Sequence, residues 1–190
     1  MRVSKQEAAR TRERIIAAAA DEFRRKGLAG AGLSDLMVSA GLTHGGFYRH
    51  FESKDELIAE ACAAAIDSVA TMYAAAPNSG RSGLEAVAAR YLSKDHRDGR
   101  SRGCPFAALG SELARADNNT RAVATERLLK IVDALAPLFK GMRPDAAKRK
   151  ALVALSTMVG ALTLSRMITQ TELSDLLLQD AAEHVSIGQQ

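Results

Sequence analysis

Apolar residues recur along this chain at three- and four-residue spacings, and no stretch alternates apolar with polar as a half-buried strand would. The pattern predicts an all-α fold of about nine helices. Ile15, Ile16, Ala19, Ala20 and Phe23 share one face of a first helix over 11–26, with Arg10, Arg14, Asp21 and Arg25 opposite and Gly27 as its stop. A short second helix over 33–40 turns Leu36 and Met37 inward, and Gly41 allows a sharp reversal into a third, from about Thr43 to Phe51. Ser53 and Glu56 have capping-box spacing: the hydroxyl accepts the Glu56 N–H and the carboxylate reaches back to the Ser53 N–H. A fourth helix therefore starts there and runs to about Ala76, where Pro77-Asn78-Ser79-Gly80 begins a loop.

A fifth helix is expected from Leu84 to about Lys94, followed by a polar connection over 95–103. Pro105 suits the first position of a sixth, ending near Ala116, because its missing N–H would have no intrahelical partner there. Val123, Leu128, Ile131, Val132, Leu135 and Leu138 define a seventh that ends before Gly141. The eighth starts after Pro144 with Asp145 as N-cap and runs to about Ile168, carrying Leu152, Leu155, Val159 and Leu162, with Met158 widening its apolar face. The ninth starts near Thr171 and carries Leu173, Leu176, Leu177 and Ala181. So wide an apolar face is either a central helix of a monomer or pairs with another chain, and Ser156 and Gly160 would let a partner helix come close.

Charge changes this picture only through its distribution. The formal net charge is +4, but Arg2, Lys5, Arg10, Arg12 and Arg14 stand against only Glu7 and Glu13 at the start of the chain. That arm either neutralises phosphates or is a solvated charged end. Two cysteines, Cys62 and Cys104, make no disulfide framework, which fits a reducing cytoplasm. No signal-peptide pattern opens the chain, and the apolar segment 151–165 is too short and too rich in Ser and Thr to span a bilayer, so no membrane role is expected. His44, His50, His96 and His184 have no metal-ligand spacing, and neither a phosphate-cradling glycine loop nor a nucleophile elbow occurs, so no metal, cofactor or catalytic residue is assigned.

Three short helices with a tight turn between the second and third have the plan of a helix-turn-helix, whose last element enters the DNA major groove. The segment Ala40-Gly41-Leu42-Thr43-His44-Gly45-Gly46-Phe47-Tyr48-Arg49-His50-Phe51, followed by Glu52-Ser53-Lys54-Asp55-Glu56-Leu57, resembles the signature of the TetR family over roughly 11–57. The resemblance implies a helix-turn-helix DNA-binding domain over 1–55 and a helical ligand-sensing and dimerisation domain over 56–190. It implies further that Thr43, Tyr48, His50 and Lys54 contact phosphates, while His44, Gly45 and Arg49 lie nearest the base edges. Thr43 would cap the third helix, and Phe47 and Phe51, by spacing, anchor it to the core. Two departures stand out: Gly32 replaces the usual Thr or Ser cap, and Gly45-Gly46 removes side chains from the centre of the reading helix. Base reading then falls mainly to Arg49, with His44 and apolar contact from Tyr48.

In the family the last two helices of each chain form a four-helix dimer interface, which implies a homodimer and a palindromic double-stranded DNA operator. An unknown small-molecule effector would occupy an apolar cavity, for which Met72, Tyr73, Tyr91, Phe106 and Leu109 are candidates and ordinary core is the competing reading. Cys104 would be the N-cap of the sixth helix, close to Arg100 and Arg102. It is either an activated thiol, as in a family branch with Gly-Cys at this point, or a small buried residue filling a helix end. The function expected is a sequence-specific regulator, a repressor released by a small molecule or a thiol-reactive signal. The alternatives are a non-specific DNA-binding protein and a helical enzyme.

Overall fold

The computed structural model of the protein describes residues 5–74 and 83–187, the side chains of 72–74 apart. Its elements are α1 (Lys5–Gly30), α2 (Leu33–Ser39), a 3-10 segment (His44–Arg49), α3 (Lys54–Ala74), α4 (Gly83–Tyr91), α5 (Lys94–Asp98), a 3-10 turn (Arg100–Arg102), α6 (Pro105–Leu113), α7 (Asn118–Leu135), a 3-10 turn (Ala136–Leu138), α8 (Pro144–Met167) and α9 (Thr171–Ile187). No strand occurs among the described residues. Arg2, the loop expected from Pro77, and the expected end of the fourth helix at Ala76 lie outside them.

Local chemistry explains most element ends. Gly27 takes φ 80°, ψ 166° and breaks α1 into two helical pieces rather than ending it. The restart is capped from a distance: Glu112 Oε1 on α6 accepts the Leu28 N–H at 2.8 Å and faces the Ala29 N–H at 3.4 Å. Asp117 caps α7 by accepting from the N–H groups of Asn119 and Thr120 and from the Thr120 hydroxyl. At α8 the N-cap is Arg143, with Pro144 at the first helical position; Asp145 sits inside the first turn, where its charge suits the helix dipole. The Ser53 hydroxyl accepts the Glu56 N–H at 3.1 Å as expected, but the Glu56 carboxylate closes on the N–H of Glu52, not Ser53.

The stretch 95–103 is not an open connection. Ser93 caps the short α5 by accepting the His96 N–H at 3.2 Å, and the Arg100–Arg102 turn follows. This segment is fastened on two sides, by Arg24 of α1 donating to the Ser101 carbonyl and by Arg97 pairing with Asp175 of α9.

Two apolar cores meet inside α3. Leu57, Ile58, Ala61, Cys62 and Ala65 pack with α1, α2 and the 3-10 segment, whereas Ile66 and Val69 pack with α4 and α6–α9. Leu109 and Leu113 of α6 belong to the first core, and half-buried Phe106 touches both, so α6 is the strut between head and body.

Candidate nucleic-acid interface

The segment after α2 is a 3-10 helix, not the α-helix that the spacing suggested. The Gly46 N–H donates to the Thr43 carbonyl and the His50 N–H to the Phe47 carbonyl, both at i to i+3 spacing. Two consecutive glycines weaken an α-helix by about 1 kcal/mol each relative to alanine, so a tighter, shorter turn costs little here. Gly41, at φ 71°, provides the reversal out of α2.

Its rear face is fixed by aromatic packing. Phe47 and Phe51 are buried and stacked with ring centroids 5.5 Å apart, and Phe47 meets Tyr48 edge-on at 5.1 Å. Arg12 of α1 lies over the Phe51 ring at 4.4 Å, donates to the His50 carbonyl at 3.2 Å, and pairs with Glu56 at 2.9 Å and with Glu60. Those two carboxylates, Glu60 first, raise the Arg12 pKa above its ordinary value against the opposing effect of burial. Arg12 is thus a clasp between α1, the 3-10 segment and α3, and Arg14 likewise donates to the Ala40 carbonyl at 3.0 Å. Neither is a free member of a basic arm, because each is engaged within the fold; Lys5 and Arg10 remain exposed.

The front face carries Thr43, His44, Gly45, Tyr48 and Arg49, all exposed, with Tyr48 at 69%. Thr43 occupies the N-cap position but its side chain makes no capping hydrogen bond, contrary to the expected cap, which leaves its hydroxyl facing solvent. His50 is half-buried at the edge of this face. Lys54 stands somewhat apart: its Nζ donates to the Leu28 carbonyl at 2.9 Å, tying the start of α3 to the end of α1. An ammonium has three donors, so two remain for solvent or a phosphate.

The six body candidates do not gather around one open apolar space. Tyr91, Cys104 and Leu109 are buried, Tyr91 and Cys104 in the body core and Leu109 in the head core. Phe106 lies between the two cores, and the side chains of Met72 and Tyr73 fall outside the described residues. Cys104 is the N-cap of α6. Of the two readings of Cys104, the small buried residue fits better than the activated thiol, since burial pushes the thiol above its ordinary pKa and outweighs hydrogen bonds from Tyr91 and the backbone N–H groups of Ala107 and Phe106. The Cys62 thiol is likewise pushed up to about 11 by burial.

A polar knot beside Cys104 was not foreseen from the residue order. His96 Nδ1 lies 2.7 Å from the Tyr91 carbonyl, while Nε2 accepts the Cys104 N–H at 2.9 Å, an arrangement that requires the neutral ring with its proton on Nδ1. Burial lowers the His96 pKa, in keeping with that form. The Ser93 cap and the Tyr91 and Cys104 contacts of His96 are local but have no recognised spacing, whereas Asp175, the partner of Arg97, and His96 and Arg97, the partners of Arg166, are distant in the chain. Among the described residues no group of three or more His, Cys, Asp or Glu side chains could hold a metal ion, and no helix is long and apolar enough to cross a membrane.

Comparison with known proteins agrees with this geometry. Residues 15–61 match the family described as bacterial regulatory proteins, tetR family, and residues 80–184 match the transcriptional regulator LmrA/YxaF-like C-terminal domain. An uncharacterized HTH-type transcriptional regulator of Mycobacterium tuberculosis is 30% identical over 90% of this chain and 96% of its own. Among solved structures, a TetR transcriptional regulator from Chloroflexus aurantiacus aligns with TM-score 0.76 and 28% identity, covering 96% of this chain and 95% of that one. A TetR-family regulator from Cytophaga hutchinsonii aligns with TM-score 0.78 and 25% identity, covering 98% and 97%.

Proposed function

The chain belongs to the TetR family of bacterial transcriptional regulators, which bind DNA operators as dimers, and from that premise we propose that it is a cytoplasmic repressor of a palindromic operator and not an enzyme. One observation carries the reading: Thr43, His44, Gly45, Tyr48 and Arg49 are all exposed on a short segment pinned from behind by Phe47 and Phe51. Arg49 is the chief base reader, suited to guanine O6 and N7, with His44 and the bare Gly45 backbone close to the base edges. Thr43, Tyr48, His50 and Lys54 hold phosphates and so set register without reading sequence. The division of labour follows the chain: 1–55 binds DNA and 56–190 senses and dimerises.

The homodimer forms through α8 and α9. Leu155, Met158 and Leu162 are used up in the chain's own core, which leaves a separate stripe of exposed Val153, Leu164 and Met167 with half-buried Thr157 and Gly160 between them on α8, beside exposed Leu173 and Leu176 on α9. A side chain at Gly160 would meet no heavy atom within 4 Å, so a partner helix can approach closely there. A small-molecule effector releases the operator, and Phe106, between the two cores, is the side chain an apolar effector would displace first, with Tyr91 of the body core and Leu109 of the head core as further candidates. Met72 and Tyr73, whose side chains lie outside the described residues, remain candidates on the sequence alone. The buried, poorly ionised state of Cys104 favours packing over thiol sensing.

Selection of bound sequences from random double-stranded DNA by the full-length protein tests the reading. The expected result is a palindrome with half-sites about 34–36 Å apart or a multiple of that, bound at least about 10³-fold more tightly than scrambled DNA at physiological salt. A ratio near one would overturn it in favour of non-specific binding.

A further inference from the structure

The end of α8, the start of α9 and the underside of α5 enclose a polar cleft of about 200 Å³ whose walls include Arg97, Asp98, Arg100, Arg166, Thr171 and Ser174. We propose that this cleft is a binding site for a small oxyanion, either a free ion or the phosphate or carboxylate group of a larger molecule. The volume is below the roughly 300–1,000 Å³ of pockets that take drug-sized ligands, and it suits one charged group.

Charge balance within the cleft carries the argument. Arg97 is fully answered, pairing with Asp98 at 2.8 Å and Asp175 at 2.6 Å, and Asp175 also takes Lys94 at 2.6 Å. These four groups sum to zero. Arg100 and Arg166 are left over, and among the described residues neither has a carboxylate within 4 Å.

Arg166 is the more telling of the two. It is half-buried, with Nε donating to the Arg97 carbonyl at 3.0 Å and one Nη to the His96 carbonyl at 2.8 Å. Two neutral acceptors hold its plane in place without neutralising it, and a partly buried cation without a counter-ion is an unfavourable arrangement that an anion relieves. Its pKa is lowered, chiefly by burial with Arg100 adding to the effect, while Tyr91, Cys104 and the Asp98 carboxylate of the same cleft oppose it without pairing directly.

Across the cleft, Thr171 opens α9, a helix of 17 residues whose leading N–H groups have no intrahelical acceptors. The Ser174 hydroxyl is already committed, donating to the Ser165 carbonyl at 2.7 Å and accepting from Arg97 Nη1 at 2.9 Å, so it shapes the wall without adding a donor. The α5 wall continues into the Arg100–Arg102 turn that docks on α1 through Ser101 and Arg24, which places the site beside the junction of body and head.

Titration of the full-length protein with inorganic phosphate and, separately, with acetate, each at constant ionic strength against chloride, tests the proposal by calorimetry without DNA. Saturable binding of phosphate or acetate with Kd of about 1 mM or tighter is expected, phosphate alone marking a tetrahedral oxyanion and acetate alone a carboxylate. Arg100→Gln, which removes an exposed cation with no ion pair, should weaken binding about tenfold or more at an unchanged melting temperature. Arg166→Gln should abolish it, and if that variant does not fold, Arg100→Gln alone decides. Heats indistinguishable from chloride, or an affinity unchanged in Arg100→Gln, would overturn the site. Since no DNA is present, such a failure leaves the operator reading untouched, and a failed operator selection leaves the anion site untouched.

Discussion

Replacing Gly27 by alanine probes the joint between head and body at one atom. Gly27 has φ 80° and ψ 166°, a region essentially reserved for glycine, and any other residue held there costs about 1–3 kcal/mol. An added Cβ would also lie 2.9 Å from Glu112 Oε2 and 3.0 Å from Oε1, so the carboxylate has to move. Moving it gives up the 2.8 Å bond from the Leu28 N–H, and a hydrogen bond to a charged group contributes about 1.5–3 kcal/mol. The low-to-middle part of both ranges sums to about 3 kcal/mol, which for a protein of this size lowers the melting temperature by roughly 6–12 °C. Thermal unfolding followed by circular dichroism, at one fixed protein concentration because dimerisation contributes to stability, is the assay. Glu112→Ala already forfeits the cap, so the double variant should lose less than the sum of the two single losses. A fall below about 2 °C for Gly27→Ala, or a strictly additive cycle, would refute the close approach of Glu112 to Gly27.

Three further outcomes follow from the same structure. Arg49→Ala should cost about 1–3 kcal/mol of discrimination at one guanine per half-site, whereas Lys54→Ala should weaken all sequences alike and also lower stability by about 1–2 kcal/mol through loss of its bond to the Leu28 carbonyl; competition binding and melting curves separate the two, and equal losses on operator and random DNA for Arg49→Ala contradict the assignment. Leu164→Glu places a charge on the exposed stripe of α8 without touching the core and should turn the dimer into a folded monomer at micromolar concentration; light scattering that still shows a dimer argues against this interface. Both thiols should resist alkylation at pH 8 in the folded protein. Since the Cys62 thiol ionises at about 11 when folded and at about 8.5 when unfolded, its burial stabilises fully below about pH 8.5 and loses that contribution as pH rises toward 11. Comparison with Cys62→Ala across that window isolates the slope, and parallel curves would show that the thiol is not buried.

The order of helices, the turn at Gly41, the anchoring role of Phe47 and Phe51 and the capping residue Ser53 are all encoded by near neighbours. A three-four spacing, a positive φ or a side-chain cap involves residues within one or two turns of each other, so the all-α class and the helix-turn-helix plan were legible from residue order alone. Even there, weak local preferences misled: Gly45-Gly46 tightened an expected α-helix into a 3-10 turn, and the polar stretch 95–103 folded into α5 and a further turn because distant Arg24 and Asp175 fasten it. Partnership and burial were decided only by packing. Arg12 and Arg14 have the chemistry of phosphate contacts, yet α3 supplies Glu56 and Glu60 and the C-cap of α2 supplies the Ala40 carbonyl to engage them. Cys104 sits at a helix start that favours a thiolate, but the body core closes over it and desolvation outweighs the dipole. Arg166 shows the same limit from the other side, since it lacks an ion-pair partner only because the fold brings α5, α8 and α9 together with Asp98 near it but no carboxylate within pairing distance. Charge and periodicity are properties of the chain; which charges are already answered is a property of the packed structure.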